Sequence, residues 1–256
     1  MKNYELYHGD CLEIMKEIPD HSIDMILCDL PYGTTACMWD TVIPFADLWK
    51  HYNRVIKDNS AIVLFGSEPF SSALRSSNFQ LYKYDWKWIK DCPTGFQSVK
   101  TQPMRKYEDI MIFSKGTIAS GSPRNMKYNP QWLVEINKKR KVNKKPKYIG
   151  DRPNQDGKEY VAKYTNYPVN LLEFPRDKNR LHPTQKPVEL LEYLIKTYSN
   201  EGETVLDNCM GSGSTGVACM KTNRKFIGIE LDKGYFDIAE RRIADADTRE
   251  DHLDTG

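Results

Sequence analysis

The chain has 256 residues, with 37 Lys or Arg against 35 Asp or Glu and a net charge of +2. Domains of about 150 residues are typical, so one large domain, or one domain with a substantial insert, is expected, with a core that needs no disulfide. Near-neutral charge excludes a uniformly basic coat protein, the 39% hydrophobic content excludes a disordered chain, and no apolar run is long enough for a membrane span. The cysteines at 11, 28, 37, 92, 209 and 219 form no C-x-x-C pair, which predicts reduced thiols and no metal site. The opening residues carry no apolar leader, so a cytoplasmic location is the expectation.

Taken in chain order, Tyr4 to Tyr7 reads as a short strand, Cys11 to Lys16 as the start of a helix, and Ile23 to Cys28 as an apolar run closed by Asp29. An apolar run without alternation fits a strand buried on both faces of a parallel sheet. A helix over Phe45 to Ile56 and a second such strand over Ala61 to Phe65 continue a strand–helix rhythm that predicts an open sheet covered by helices. In Leu81 to Lys90 the aromatics Tyr82, Tyr84, Trp86 and Trp88 alternate with Lys83, Asp85 and Lys87. That period of two predicts a strand with one buried aromatic face, and Tyr107 to Ser114 is the next strand candidate.

Gly116 to Pro175 changes character, holding twelve Lys or Arg against five Asp or Glu, a local net of +7. Seven of these cations crowd into Lys138 to Lys147, and the segment reads as an insert without strong periodicity. Pro187 then opens an amphipathic helix with Leu190, Leu191, Leu194, Ile195 and Tyr198 on one face. A strand over Thr204 to Asp207, a glycine-rich turn, a helix from Thr215, a strand over Lys225 to Glu230 and a helix near Tyr235 to Ala244 follow. The remaining residues read as a frayed acidic tail.

Two turns carry chemistry. Gly211-Ser212-Gly213-Ser214-Thr215-Gly216 is a G-x-G-x-x-G between strand and helix, with Glu230 nineteen residues after Gly211. Alone this fits a dinucleotide fingerprint, and an NAD-linked oxidoreductase is one rival reading. The fingerprint, however, stands near the end of the chain, so the N-terminal strands must complete the sheet. The fold expected is a circularly permuted, Rossmann-like α/β sheet, mostly parallel with an antiparallel edge strand. The second turn, Asp29-Leu30-Pro31-Tyr32-Gly33, closes a buried strand at the carboxyl edge, where open α/β sheets bind ligands.

With both turns in place, nearly the whole chain resembles the permuted β group of amino-DNA methyltransferases, in which the catalytic motif precedes the S-adenosylmethionine motifs. Asp29-Leu30-Pro31-Tyr32 is similar to the family's [DNS]-P-P-[YFW], with Leu in place of the first Pro. Asp207 to Ser214 is similar to D-x-F-x-G-S-G-T, with Cys209 in place of Phe, and His182-Pro183-Thr184-Gln185-Lys186-Pro187 matches H-P-T-Q-K-P. Lys106-Tyr107-Glu108 through Phe113-Ser114-Lys115 is similar to the strand that follows the catalytic region.

The resemblance implies a site-specific DNA methyltransferase, with adenine N6 as the expected target and cytosine N4 as the alternative. In the family, Asp at the first motif position goes chiefly with adenine and Ser with cytosine. It implies catalytic roles for Asp29, Leu30, Pro31 and Tyr32. Donor binding falls to Asp10, Cys11, Asp29, Lys186, Asp207, Cys209, Gly211, Ser212, Gly213, Ser214 and Glu230. Lys186 would face the donor's carboxylate and Glu230 its ribose, while Asp10 would hold the adenine amino group or merely cap a helix. The implied cofactor is S-adenosylmethionine and the implied partner is double-stranded DNA, with no membrane and with a homodimer as the candidate assembly. Residues 1–115 would form the catalytic half, 116–175 the target-recognition insert, 176–246 the donor-binding half and 247–256 a tail. Lys138, Lys139, Arg140, Lys141, Lys144 and Lys145 would contact phosphate. A non-catalytic DNA-binding relative is the remaining rival, and the intact Asp29 and Tyr32 argue against it.

Overall fold

A computed structural model describes residues 2–33, 41–141, 159–177 and 185–250. The chain divides into two compact units, residues 130–169 and the remainder. In the larger unit, β1 (Tyr4–His8), α1 (Cys11–Ile14), β2 (Ile23–Cys28), α2 (Phe45–Val55), β3 (Ile56–Gly66), α3 (Phe70–Ser77), β4 (Tyr82–Thr94) and β5 (Arg105–Phe113) come first. The smaller unit pairs β6 (Val134–Lys141) with β7 (Glu159–Thr165) as an antiparallel hairpin. The larger unit resumes with β8 (Leu171–Glu173), α4 (Val188–Tyr198), β9 (Thr204–Asp207), α5 (Ser214–Met220), β10 (Lys225–Glu230) and α6 (Lys233–Glu250).

Eight strands form one sheet in the order β1-β10-β9-β2-β3-β5-β4-β8. β1 pairs with β10 and β2 with β9, so strands from the two ends of the chain interleave as the permuted order requires. All pairings are parallel except those of β5, which runs antiparallel to both β3 and β4. The antiparallel strand therefore lies inside the sheet and not at its edge, because β4 and the short β8 extend the sheet beyond it.

Side chains of the central strands alternate between two cores, as the period of a strand demands. Met25, Leu27, Ala61, Val63, Ile110 and Ile112 pack on one face with α4, α5 and α6. Ile26, Cys28, Ile62, Leu64, Met111 and Phe113 pack on the other with α2 and α3. Burial on both faces explains why β2 shows no alternation in sequence: all six of its residues are buried. β4 keeps the expected aromatic face, with Trp86 and Trp88 buried and the indole of Trp88 donating to the Phe174 carbonyl at 2.9 Å.

The smaller compact unit spans 130–169, inside the 116–175 expected for the insert, while Lys127 donates its amide to the Asn59 carbonyl and β8 pairs with β4 within the larger unit. That unit has a hairpin where the sequence showed no period, since β6 is exposed almost throughout and carries charges on both faces. The last helix continues to Glu250, past the expected start of the tail, and 251–256 lie outside the described residues. No helix among the described residues is long and apolar enough to cross a membrane.

Leu194 is fully buried in the face that α4 presents to the sheet. Leu194→Ala should lower unfolding free energy by about 2–5 kcal/mol in urea denaturation, through reduced transfer energy plus a cavity.

Candidate active site

β2 and β9 are neighbours from which the chain departs in opposite directions, β9 toward β10 and β2 toward β3. A crevice opens outside the carboxyl ends of strands at such a switch point. Here Asp29 follows β2, the 208–213 turn follows β9, and Glu230 closes β10 beside Asp10 at the end of β1. Together they line a cavity of about 590 Å³.

Asp29 has both carboxylate oxygens engaged. The Tyr32 hydroxyl donates to Oδ1 at 2.7 Å, and Lys186 donates to Oδ2. Lys186 is 6% exposed and also lies 3.3 Å from Glu108 Oε2, while Lys90 pairs with Glu108 Oε1 at 2.5 Å. The order Lys90–Glu108–Lys186–Asp29 alternates in sign, which is how a buried site carries several charges without a net field. Burial raises the Asp29 carboxyl above its ordinary value, and Lys186 and the Tyr32 hydroxyl oppose that shift. Burial lowers the Lys186 ammonium, but Asp29 and Glu108 more than compensate and hold it above its ordinary value. The Tyr32 ring stacks on Phe70 at 4.7 Å, with ring planes 27° apart.

The glycine turn is fixed from three sides. Gly213 adopts φ +80, and a Cβ there would meet Ala239 of α6 at 2.8 Å, so the position needs glycine for conformation and for space. Glu230 accepts the Gly211 amide on Oε2 and the Asp232 amide on Oε1, both at 2.8 Å. Asp207 accepts the Cys209 amide at 3.1 Å and the Thr215 hydroxyl at 2.6 Å. Arg242 of α6 donates to the hydroxyls of Ser212 at 3.0 Å and Ser214 at 3.2 Å.

The remaining expected residues fall into place unevenly. Asp10 caps α1, accepting the Leu12 amide at 2.7 Å, and still lines the cavity. Cys11 and Cys209 also line it and share the Asn208 amide, whose nitrogen lies 3.6 and 3.5 Å from their sulfurs. Leu30 and Pro31 form its wall. Lys186, expected opposite the donor's carboxylate, is committed to Asp29 and Glu108. Lys138, Lys139, Arg140 and Lys141 are exposed on β6, whereas Lys144, Lys145 and His182 to Thr184 lie outside the described residues.

Sequence reasoning missed Lys90 and Glu108. A signal for Lys90 existed, because it continues the buried stripe of Trp86 and Trp88 at the same period. A lysine on a buried face implies an acid within reach.

The chain belongs to the N6/N4 DNA methylase family, whose model, described as "DNA methylase", matches residues 23–241. The chain is 30% identical over 260 residues to the DNA adenine methyltransferase YhdJ of Escherichia coli, covering 93% of this chain and 82% of that one. It is 28% identical over 250 residues to the type II methyltransferase M.HpaI of Haemophilus parainfluenzae, covering 92% and 72%. Among solved structures, M1.HpyAVI in complex with SAM superposes with a TM-score of 0.60 at 26% identity, covering 93% of this chain and 99% of that one. The cytosine-N4-specific PvuII DNA methyltransferase shares the fold, with a TM-score of 0.68 at 16% identity and coverage of 97% and 93%. The protein is thus a methyltransferase of the DNA amino-methylating class.

Asp207 is buried, and desolvation raises its carboxyl to about 6. A carboxyl that holds its proton more tightly folded than unfolded contributes stability at low pH and loses it as pH rises through the folded value. Asp207→Asn should therefore gain on the wild type between pH 4 and pH 7, a difference read by thermal melting across that range.

Proposed function

We propose that the protein transfers a methyl group from S-adenosylmethionine to an exocyclic amino group in duplex DNA, with adenine N6 as the target. The observation that carries this reading is a half-buried carboxylate, Asp29, at the switch-point crevice beside an aromatic ring, Tyr32. An exocyclic amino nitrogen is a weak nucleophile because its lone pair is delocalised into the ring. The Asp29 carboxylate and the Leu30 carbonyl would accept its two N–H bonds, favouring a pyramidal nitrogen and opposing the positive charge that develops on it. Since the second acceptor is backbone, Leu in place of Pro at position 30 keeps it. Tyr32 would stack on a base drawn out of the duplex.

The cavity suits the donor. Among the described residues its lining holds five acids, Asp10, Asp29, Glu108, Asp207 and Glu230, against the cations Lys90, Arg176 and Lys186, a balance that favours a sulfonium ion. Glu230 would accept the ribose hydroxyls on lone pairs left beside its two amide bonds, and the turn at Gly211 and Gly213 would admit the methionine portion. When bound, the donor supplies a methyl group activated by its sulfonium. The protein contributes position and electrostatics. In this scheme residues 1–115 supply the acceptor side and 176–246 the donor side. Strand β6 presents Lys138 to Lys141 to phosphate.

Adenine is assigned because Asp opens the catalytic tetrapeptide and because the relative YhdJ is named an adenine methyltransferase. Nucleosides from treated DNA should contain N6-methyladenine by mass spectrometry. N4-methylcytosine alone would overturn the base and leave the chemistry.

Calorimetry should detect S-adenosylmethionine and not NAD. Glu230→Ala should weaken donor binding by about 1.5–3 kcal/mol, because its charge-assisted hydrogen bonds are removed. NAD binding without donor binding would overturn the reading. Neutralising Lys138 to Lys141 should lower the salt slope of DNA binding by about 0.9 for each phosphate that these side chains neutralise, and an unchanged slope would leave them as solvated side chains.

A further inference from the structure

Three cysteines distant in sequence meet at the donor crevice. Cys11 opens α1 just after β1, Cys28 ends β2, and Cys209 stands in the turn after β9. Cys11 and Cys209 are half-buried and line the cavity, whereas Cys28 is buried. The Cys11 and Cys209 thiols hydrogen-bond each other, and Cys28 hydrogen-bonds Cys209. Both cavity-facing sulfurs also lie beside one amide nitrogen, Asn208 Nδ2, at 3.6 and 3.5 Å. Asn208 is held in turn by the Tyr52 hydroxyl, which donates to its Oδ1 at 2.6 Å. The thiol pair therefore sits on a fixed support.

The two thiols differ in chemistry. Hydrogen bonding from Cys209 lowers the Cys11 thiol below its ordinary value, and Asn208 adds to this, while burial and the Asp10 charge oppose it. The Cys209 thiol is held well above its ordinary value by its contacts with Cys11 and Cys28 and by burial. A thiolate is the reactive form of cysteine, so Cys11 is the nucleophile and Cys209 the resolving neighbour. Burial pushes the Cys28 thiol up to about 12 and keeps it out of the reaction. We propose that Cys11 and Cys209 form an oxidation site that governs entry of the methyl donor: a hydroperoxide converts the pair to a disulfide, and the disulfide closes the crevice to S-adenosylmethionine. This adds a reaction separate from methyl transfer, and it rests on the donor occupying the same crevice.

In the first step the Cys11 thiolate attacks one oxygen of hydrogen peroxide and the O–O bond breaks. The departing hydroxide takes up the proton that Cys11 gave up and becomes water, leaving Cys11 as a sulfenic acid. In the second step the Cys209 sulfur attacks the Cys11 sulfur, the S–O bond breaks, and hydroxide leaves as water with the Cys209 proton. Two thiols have then lost two electrons and two protons, and one peroxide has become two waters. A dithiol reverses the change by exchange. Bond formation draws the two sulfurs inside van der Waals contact. Asp10 beside Cys11, and the turn from Cys209 to Gly211, must move with them. Asp10 and Gly211 both line the cavity, so its wall shifts where the donor would lie. A bound donor would in turn cover both sulfurs.

The test treats the full chain with hydrogen peroxide, with and without saturating S-adenosylmethionine, and maps cysteine pairs by mass spectrometry of alkylated, unreduced digests. An intramolecular Cys11–Cys209 bridge should form, and bound donor should slow its formation. Donor affinity, read by calorimetry after the peroxide is removed, should fall about tenfold or more and return with dithiothreitol. Cys11→Ser and Cys209→Ser, each compared with its own untreated sample, should lose this peroxide-dependent fall. Cys92→Ser should keep it, because Cys92 is exposed on β4 and stands for general surface oxidation. Bridges that join only other cysteines, or no bridge at all, would overturn the proposal. So would a Cys11–Cys209 bridge that leaves donor affinity within about twofold of the untreated protein. A fall that dithiothreitol fails to reverse would also overturn it, since that is the mark of Met210 sulfoxide in the cavity lining or of overoxidised sulfur. An untreated protein that binds no donor would remove the donor assignment itself and with it the gating, while the digest map would still decide whether the thiol pair is an oxidation site.

Discussion

A half-buried carboxylate at a strand end is the constraint around which this site is arranged. Asp29 follows a strand whose six residues are all buried, so water compensates its charge only in part. The compensation comes from far along the chain: Lys186 lies 157 residues away and is itself buried. The interleaving of N-terminal and C-terminal strands is what makes the pairing possible. β2 takes its neighbour β9 from the C-terminal part of the chain, while β4 and β5 bring Lys90 and Glu108 to the same cavity.

The glycine turn depends on the same economy of buried acids. Glu230 and Asp207 each accept two hydrogen bonds from the turn or the chain around it, so the acids that shape the cavity also hold its backbone in place. Arg242 reaches in from α6 to the serine hydroxyls, tying the last helix to the turn. Acid side chains here have a structural duty and retain lone pairs toward the cavity.

Much of this was legible in the sequence, for identifiable reasons. Buried parallel strands announce themselves as apolar runs, and the two turns that close β2 and β9 carry residue types with few structural substitutes. The hairpin of β6 and β7 was hidden because its period is written in charged and polar residues, where hydrophobic patterning has nothing to register. β8 was hidden by its three-residue length. Motif position places Lys186 near the cavity but does not identify which acids lie beside it, and Asp29 and Glu108 are read only from the structure. Glu108 became visible only through strand register, which sets it opposite Trp88 in β4 and hence beside Lys90.

The central claim is that the charge on Asp29, and not merely its shape, drives transfer to the amino group. Asp29→Asn keeps the volume and one acceptor oxygen while removing the charge. Its single-turnover methylation rate, measured with donor bound to saturation and compared with wild type, tests that claim directly. The account predicts a drop of more than about 100-fold, beyond the worth of one neutral hydrogen bond, with donor affinity retained. A rate within a few-fold of wild type would contradict it and move the chemistry away from this turn.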